Sequence, residues 1–179
     1  ASLTTWASVA SLDYAWKAPG MIAKWEAEGQ YLVVNGRTGQ EMPIYFQMYR
    51  DYKAREEFFD VEQALRKLDI PVLILHGTAD PAVPVSAANT LQAAQAEAEL
   101  HLIEGGDHVF GGRHPFEGDA LPPHSQALVR HTLDFLKRAG IKLGLHPDAV
   151  DAVLEEMKER KFGMIPPEKL ISIFKVYHN

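Results

Sequence analysis

A chain of 179 residues, 46% hydrophobic and 23% charged, is long enough for one sizeable core and has the balance of a folded globular protein. Its formal net charge of −6 argues against non-specific binding to nucleic acid or to an anionic membrane surface. With no cysteine in the sequence, disulfides, thiolate nucleophiles and cysteine-ligated zinc are excluded together, and the redox compartment stays open. No apolar run reaches the roughly 18 residues of a membrane helix, and no signal peptide is visible, so a cytoplasmic location is the default expectation.

The opening ASLTTWASVA is rich in Thr, Val and Trp and reads as a buried strand over Ser2 to Ala10. A chain that begins inside a strand is expected to have lost what preceded it. Ser11 to Asp13 reads as a turn, Tyr14 to Lys17 as a short helical piece stopped by Ala18-Pro19-Gly20, and Met21 to Glu28 as a helix ended by Gly29. Met21, Ile22 and Trp25 share its apolar face. The period then changes. YLVVNGRTGQEMPIYFQ holds two β-prone runs around Asn35-Gly36 and Thr38-Gly39, the pattern of a hairpin. Tyr49 to Phe59 is aromatic, charged and helical. Asp60 is placed to cap VEQALRKL, with Leu65 and Leu68 buried. Residues 11–68 therefore form an excursion between two core strands. Its aromatic pieces suit a lid, or simply pack, as aromatics mainly do.

Ile70 to Leu75 is a continuous apolar run bounded by Asp69 and Gly77, as expected of a parallel strand covered on both faces. His76-Gly77-Thr78-Ala79-Asp80 leaves its carboxyl end, stiffened by Pro81 and Pro84. Ser86 is the expected cap of a helix over Ala87 to Ala96. Glu99 to Ile103 reads as the next strand, nearer a sheet edge, and Glu104 to Asp107 as the turn that presents His108. A loop over Gly111 to Pro123 leads to an amphipathic helix, His124 to Arg138. Strand, helix, strand, helix implies an α/β fold with a mostly parallel sheet and flanking helices. Gly140, Gly144 and Pro147 read as a linker to a C-terminal helical hairpin built from Asp148 to Lys161 and a helix from Pro166 to about Tyr177. The expected division is residues 1–138, with 139–179 as a helical tail.

Sites in open α/β sheets form outside the carboxyl ends of the strands. Asp80 and His108 both lie there, after consecutive strands. A carboxylate bonded to one ring nitrogen fixes the imidazole tautomer, and the other nitrogen can then take a proton from a hydroxyl nucleophile. HGTADPAVP resembles the acid loop, and GGDHVF the histidine turn, of α/β-hydrolases of the dienelactone-hydrolase and prolyl-oligopeptidase-like group. TTWASVA looks like the strand that follows the nucleophile elbow in that fold. The resemblance covers about residues 1–138 and implies the C-terminal part of an α/β-hydrolase domain, with Asp80 as catalytic acid and His108 as catalytic base. It implies a serine hydrolase of ester, lactone, thioester or peptide bonds, with no cofactor. The chain departs from the pattern in two respects: the oxyanion-hole loop, which precedes the nucleophile elbow in the family, is absent, and so is the elbow. No G-x-S-x-G occurs, and Ser2, Ser8, Ser11, Ser86, Ser125 and Ser172 all lack the flanking glycines.

Two expectations follow. The chain supplies the Asp-His part of a Ser-Asp-His triad and is inactive alone, because attack and oxyanion stabilisation come from elsewhere. Alternatively it is a non-catalytic, hydrolase-derived interaction or oligomerisation module. In either case the open sheet edge at the first strand is expected to pair, with an N-terminal hydrolase half or with a second copy. Other readings stay beside these. Asp80 or His108 could be an ordinary loop residue, and Asp107 is more readily a carboxylate bonding backbone amides. His76 is expected to pack or bond locally. His101, His108, His114, His124 and His131, with Asp107 and Asp119, make a His-rich region without compact metal-ligand spacing, and no metal is expected. Loop residues Phe110 to Phe116 are candidates for a substrate pocket.

Overall fold

In a computed structural model, residues 1–35, 38–113 and 120–142 are described. The expected C-terminal hairpin lies outside them. The architecture is α/β: a three-stranded parallel sheet with flanking helices, and a separate two-stranded antiparallel hairpin.

The sheet has the order β1-β4-β5, from β1 (Leu3–Trp6), β4 (Val72–Gly77) and β5 (Glu99–Ile103). Leu3 pairs with Val72 and Trp6 with Leu75, while Leu73 pairs with Glu99 and Gly77 with Ile103. Every residue of β4 is buried. Alternation along the strand explains why it is apolar on both faces up to His76. Leu73 and Leu75 join Ile103, Leu128 and Phe135 against α5 (Pro123–Lys142). Val72 and Ile74 join Leu65, Ala88 and Leu91 against α3 (Val61–Arg66) and α4 (Ser86–Ala94).

Several boundaries differ from expectation, among them the helix read over Tyr49 to Phe59, which spans Gln47–Ala54; three have a visible cause. The first strand is shorter, because Ala7 adopts φ 50° and turns its side chain into the α5-side core. Ser86 makes no cap hydrogen bond; α4 begins on Val85 already in helical geometry, at the end of a proline-stiffened loop. The last helix runs on through Gly140 to Lys142, with Ala139 and Gly140 buried. Tertiary burial there outweighs the weak helix propensity of glycine. The expected cap at Asp60 is present, its carboxylate accepting the Gln63 amide at 2.8 Å.

Between β1 and α3 lie a 3-10 turn (Tyr14–Trp16), α1 (Met21–Glu28), the hairpin β2 (Gln30–Val34) and β3 (Glu41–Tyr45), and α2 (Gln47–Ala54). They have their own core, centred on Trp25. Its ring lies 4.8 Å from Tyr31, 5.4 Å from Trp16 and 5.5 Å from Phe46, and its indole N–H donates to the Ile44 carbonyl at 2.8 Å. Among the described residues no helix is long and apolar enough to cross a membrane.

Candidate active site

The site is built by stitching two loops together at the carboxyl ends of β4 and β5. Gly77 and Gly106 lie back to back. A β-carbon on Gly77 would stand 2.1 Å from the Gly106 carbonyl oxygen, so no other residue fits without a backbone shift. Around this contact the Thr78 amide donates to Ile103 and the Ala79 amide to Gly106, each at 3.0 Å. The Gly105 amide donates to the Thr78 hydroxyl at 2.8 Å. These bonds hold the acid loop and the histidine turn as one unit.

Asp80 divides its two oxygens. Oδ1 accepts the Ala82 amide at 2.8 Å and the Val83 amide at 2.9 Å, folding its own loop. Oδ2 lies 2.9 Å from Nδ1 of His108. The turn-capping carboxylate and the histidine partner are thus the same side chain. Its carboxylate is fully shielded from solvent, whereas the His108 side chain is 43% exposed. Burial pushes the Asp80 carboxyl up, but the Val83 amide, the His108 ring and the Ala82 amide outweigh it and hold it below the usual carboxylate range. An ionised carboxylate only accepts, so Nδ1 of His108 carries the hydrogen. In the neutral ring the lone pair is then on Nε2, the nitrogen that does not face Asp80. A buried, oriented anion behind a half-exposed imidazole is an arrangement suited to general base chemistry at Nε2.

The turn itself is fixed from beneath. Asp107 accepts the Gly111 amide at 2.8 Å and the Val109 amide at 3.2 Å, the backbone-capping role weighed for it. Phe110 adopts φ 54° and is buried against Ala7, Leu73 and Leu75. Its carbonyl accepts the Ser125 hydroxyl at 2.8 Å. Phe110 is therefore a core anchor and not a pocket residue; of the other residues proposed as pocket lining, Gly111 to Arg113 are described and 114–116 lie outside the described residues. Sequence reasoning missed the Gly77–Gly106 contact and the Thr78 bond. The signal that could have found them was the pairing of H-G-T after one strand with G-G-D after the next.

Other histidines go elsewhere. His101 and His131 stack at 4.4 Å between β5 and α5, and His124 lies over Gly105. His114 and Asp119 fall outside the described residues. Among the described residues no three His, Asp or Glu side chains converge as a metal site. A cavity of about 790 Å³ opens at the opposite end of the sheet, between Pro71, Glu99 and Arg138. It touches neither Asp80 nor His108 and lies at the amino ends of the strands, where sites in such sheets do not form.

No protein-family model matches the chain, and no curated protein matches it. Among solved structures it is similar to the esterase domain of a Rhodothermus marinus protein, at 15% identity over 62% of this chain and 44% of that one, with a TM-score of 0.39. It is also similar to Est1E from Butyrivibrio proteoclasticus, at 26% identity over 40% of this chain and 28% of that one, TM-score 0.35. A third is the esterase RhEst1 from Rhodococcus sp. ECU1013, at 22% identity over 72% of this chain and 47% of that one, TM-score 0.31. The chain spans less than half the length of each.

Proposed function

We propose that this chain contributes the acid and the base of a serine hydrolase of the dienelactone-hydrolase and prolyl-oligopeptidase-like kind. Asp80 orients His108 and stabilises its protonated form. His108 takes the proton from a serine hydroxyl as it attacks an ester, lactone, thioester or peptide carbonyl, and returns it to the leaving group. The observation that carries the reading is the 2.9 Å contact between a shielded Asp80 Oδ2 and a half-exposed His108 at the carboxyl ends of two paired parallel strands.

The serine and the oxyanion donors come from outside these 179 residues, which hold no G-x-S-x-G. The outer edge of β1 is where their segment attaches. Among the described residues β1 is terminal in the sheet order, so its outer backbone edge is open to pairing. The same edge supports a second reading, an oligomerisation module, since an open strand edge recruits another chain.

The test is hydrolysis of a p-nitrophenyl ester by the pure chain, alone and with a polypeptide carrying G-x-S-x-G. Alone, the chain gives no turnover above background; turnover that His108→Ala abolishes would show that it carries its own nucleophile. With the nucleophile segment, turnover appears, and Asp80→Asn lowers it roughly 10⁴-fold, as expected when the imidazole tautomer is lost. Turnover indifferent to both substitutions rejects the relay.

A further inference from the structure

One chemistry-bearing group remains that the relay does not use. His76 is the last side chain of β4 before Gly77, and it is completely buried. It shares its strand face with Val72 and Ile74 by alternation, where an aliphatic residue would pack without a polar atom. Its Nε2 lies 3.0 Å from the Val83 carbonyl oxygen and 3.5 Å from Oδ2 of Asp80. A carbonyl only accepts, so Nε2 carries the hydrogen. Nδ1 is buried with no hydrogen-bond partner among the described residues. A half-satisfied buried ring is unfavourable as packing, so its one satisfied nitrogen points to its use.

We propose that His76 is a positioning residue for the Asp80–His108 pair, an inference that rests on the relay reading above. Oδ1 of Asp80 is already pinned by the Ala82 and Val83 amides. The carboxylate is a rigid plane, so Oδ2 moves with Oδ1, and a further donor beside Oδ2 resists tilting of the whole group. The Nε2–H of His76 donates to the Val83 carbonyl, and Oδ2 lies 3.5 Å from the same nitrogen. Val83 is therefore held twice: its amide binds one oxygen of the acid, and its carbonyl is anchored to the ring. The acid loop is tied to the end of β4 by a side chain as well as by its backbone. The N–H dipole stands beside the carboxylate in a water-free interior, where it keeps Oδ2 aimed at Nδ1 of His108.

The tautomer ratio of neutral His108, read from ¹⁵N shifts of the whole labelled chain, tests this. In the wild type the Nδ1–H form dominates. His76→Leu removes the donor and shifts the ratio about fivefold toward Nε2–H, the scale of one net hydrogen bond. His76→Gln restores a donor and returns the ratio to within about twofold of wild type. A folded His76→Leu protein with an unchanged ratio overturns the proposal, as does a His76→Gln protein no different from His76→Leu. A purely structural histidine would lower stability in both variants without moving His108. If the leucine variant does not fold, the wild-type spectrum decides: protonated Nδ1 on His76 overturns the proposal, protonated Nε2 whose shift moves in Asp80→Asn supports it, and protonated Nε2 indifferent to Asp80→Asn overturns it. The readout needs neither substrate nor nucleophile, so its failure and a failure of the ester assay are separate results.

Discussion

Around β4 burial is mainly aliphatic, joined by Phe110 and Phe135, and alternates along the strand. Leu73 and Leu75 face one set of helices, Val72 and Ile74 the other, and parallel ladders run down both sides of the strand. Around Trp25 burial is aromatic and local. Trp16, Trp25, Phe46 and Tyr52 cluster through tilted and edge-to-face rings, on elements joined by short turns. The hairpin there buries only one face; Leu32 and Val34 of β2 and Tyr45 of β3 are exposed on the other. The first scheme fixes backbone positions from two sides, which a loop-borne acid and base require. The second fills space with large rings and sets no strand in a wider sheet. The two regions should therefore lose structure separately.

The largest expected effect comes from Trp25→Ala. Truncating a fully buried tryptophan costs about 3–5 kcal/mol, and here it also leaves the Ile44 carbonyl without its indole donor. Amide hydrogen exchange should show protection lost in α1, β2 and β3 while β4 and β5 keep theirs. Equal loss in both regions would mean that they unfold as one cooperative unit.

Gly77→Ala is the reciprocal experiment. The added carbon meets backbone atoms of Gly106 at 2.1 and 2.5 Å, so the two site loops must part. Overpacking of this kind costs roughly 1–3 kcal/mol. The Asp80–His108 hydrogen bond should disappear from the ¹⁵N spectrum, while the near-ultraviolet circular dichroism of the tryptophan cluster is unchanged. Retention of that hydrogen bond would show that the loops are not held by the glycine contact.

The same contrast explains what could be read in the sequence. β4 was legible because a strand covered on both faces must be apolar at every position, and Ile70 to Leu75 is. The placement of Asp80 and His108 as neighbours was legible because each follows such a strand with turn residues beside it. α1 and the hairpin emerged from periodicity and from Gly29. The ring-on-ring arrangement around Trp25 did not, since composition marks aromatics as buried but not which edges meet. Ser86 was misread because side-chain preference at a helix start was allowed to stand for geometry, whereas the Pro81 to Val85 loop delivers the chain already helical. The contact of His76 with Asp80 was invisible because it depends on a loop folding back seven residues to bring the Val83 carbonyl over the ring.

A smaller effect lies at the junction of the two regions. Asp60→Ala removes the α3 cap and costs about 1 kcal/mol. Because Leu65 of α3 packs with Val72 and Ile74, the loss should appear in urea unfolding followed at β4 and not in the tryptophan cluster. A loss confined to the cluster would place α3 with the aromatic region.

The smallest effect separates the regions by pH. Residues 11–60 contain no histidine. In the sheet layer, burial, followed by the neighbouring His101 and Arg130, holds His131 below its ordinary value, against the opposing Asp134. Arg138 adds to the lowering and is itself paired with Glu99 of β5. A folded-state value below the unfolded one means that the unfolded chain binds the proton first as pH falls. Stability from this group is therefore complete above about pH 6.5 and declines below it. The carboxylates act lower. Asp80 is held down as described above. Asp13 in the aromatic region is held down mainly by the Ser11 hydroxyl, against burial, with help from Lys17. Their stability is complete above about pH 3.9 and is lost as pH falls through their depressed values. Between about pH 6.5 and 4 the seam of β5 and α5 should weaken, and His131→Gln should flatten that limb; a wild-type melting temperature that is flat over this range, or a limb that survives the substitution, would remove His131 as its cause.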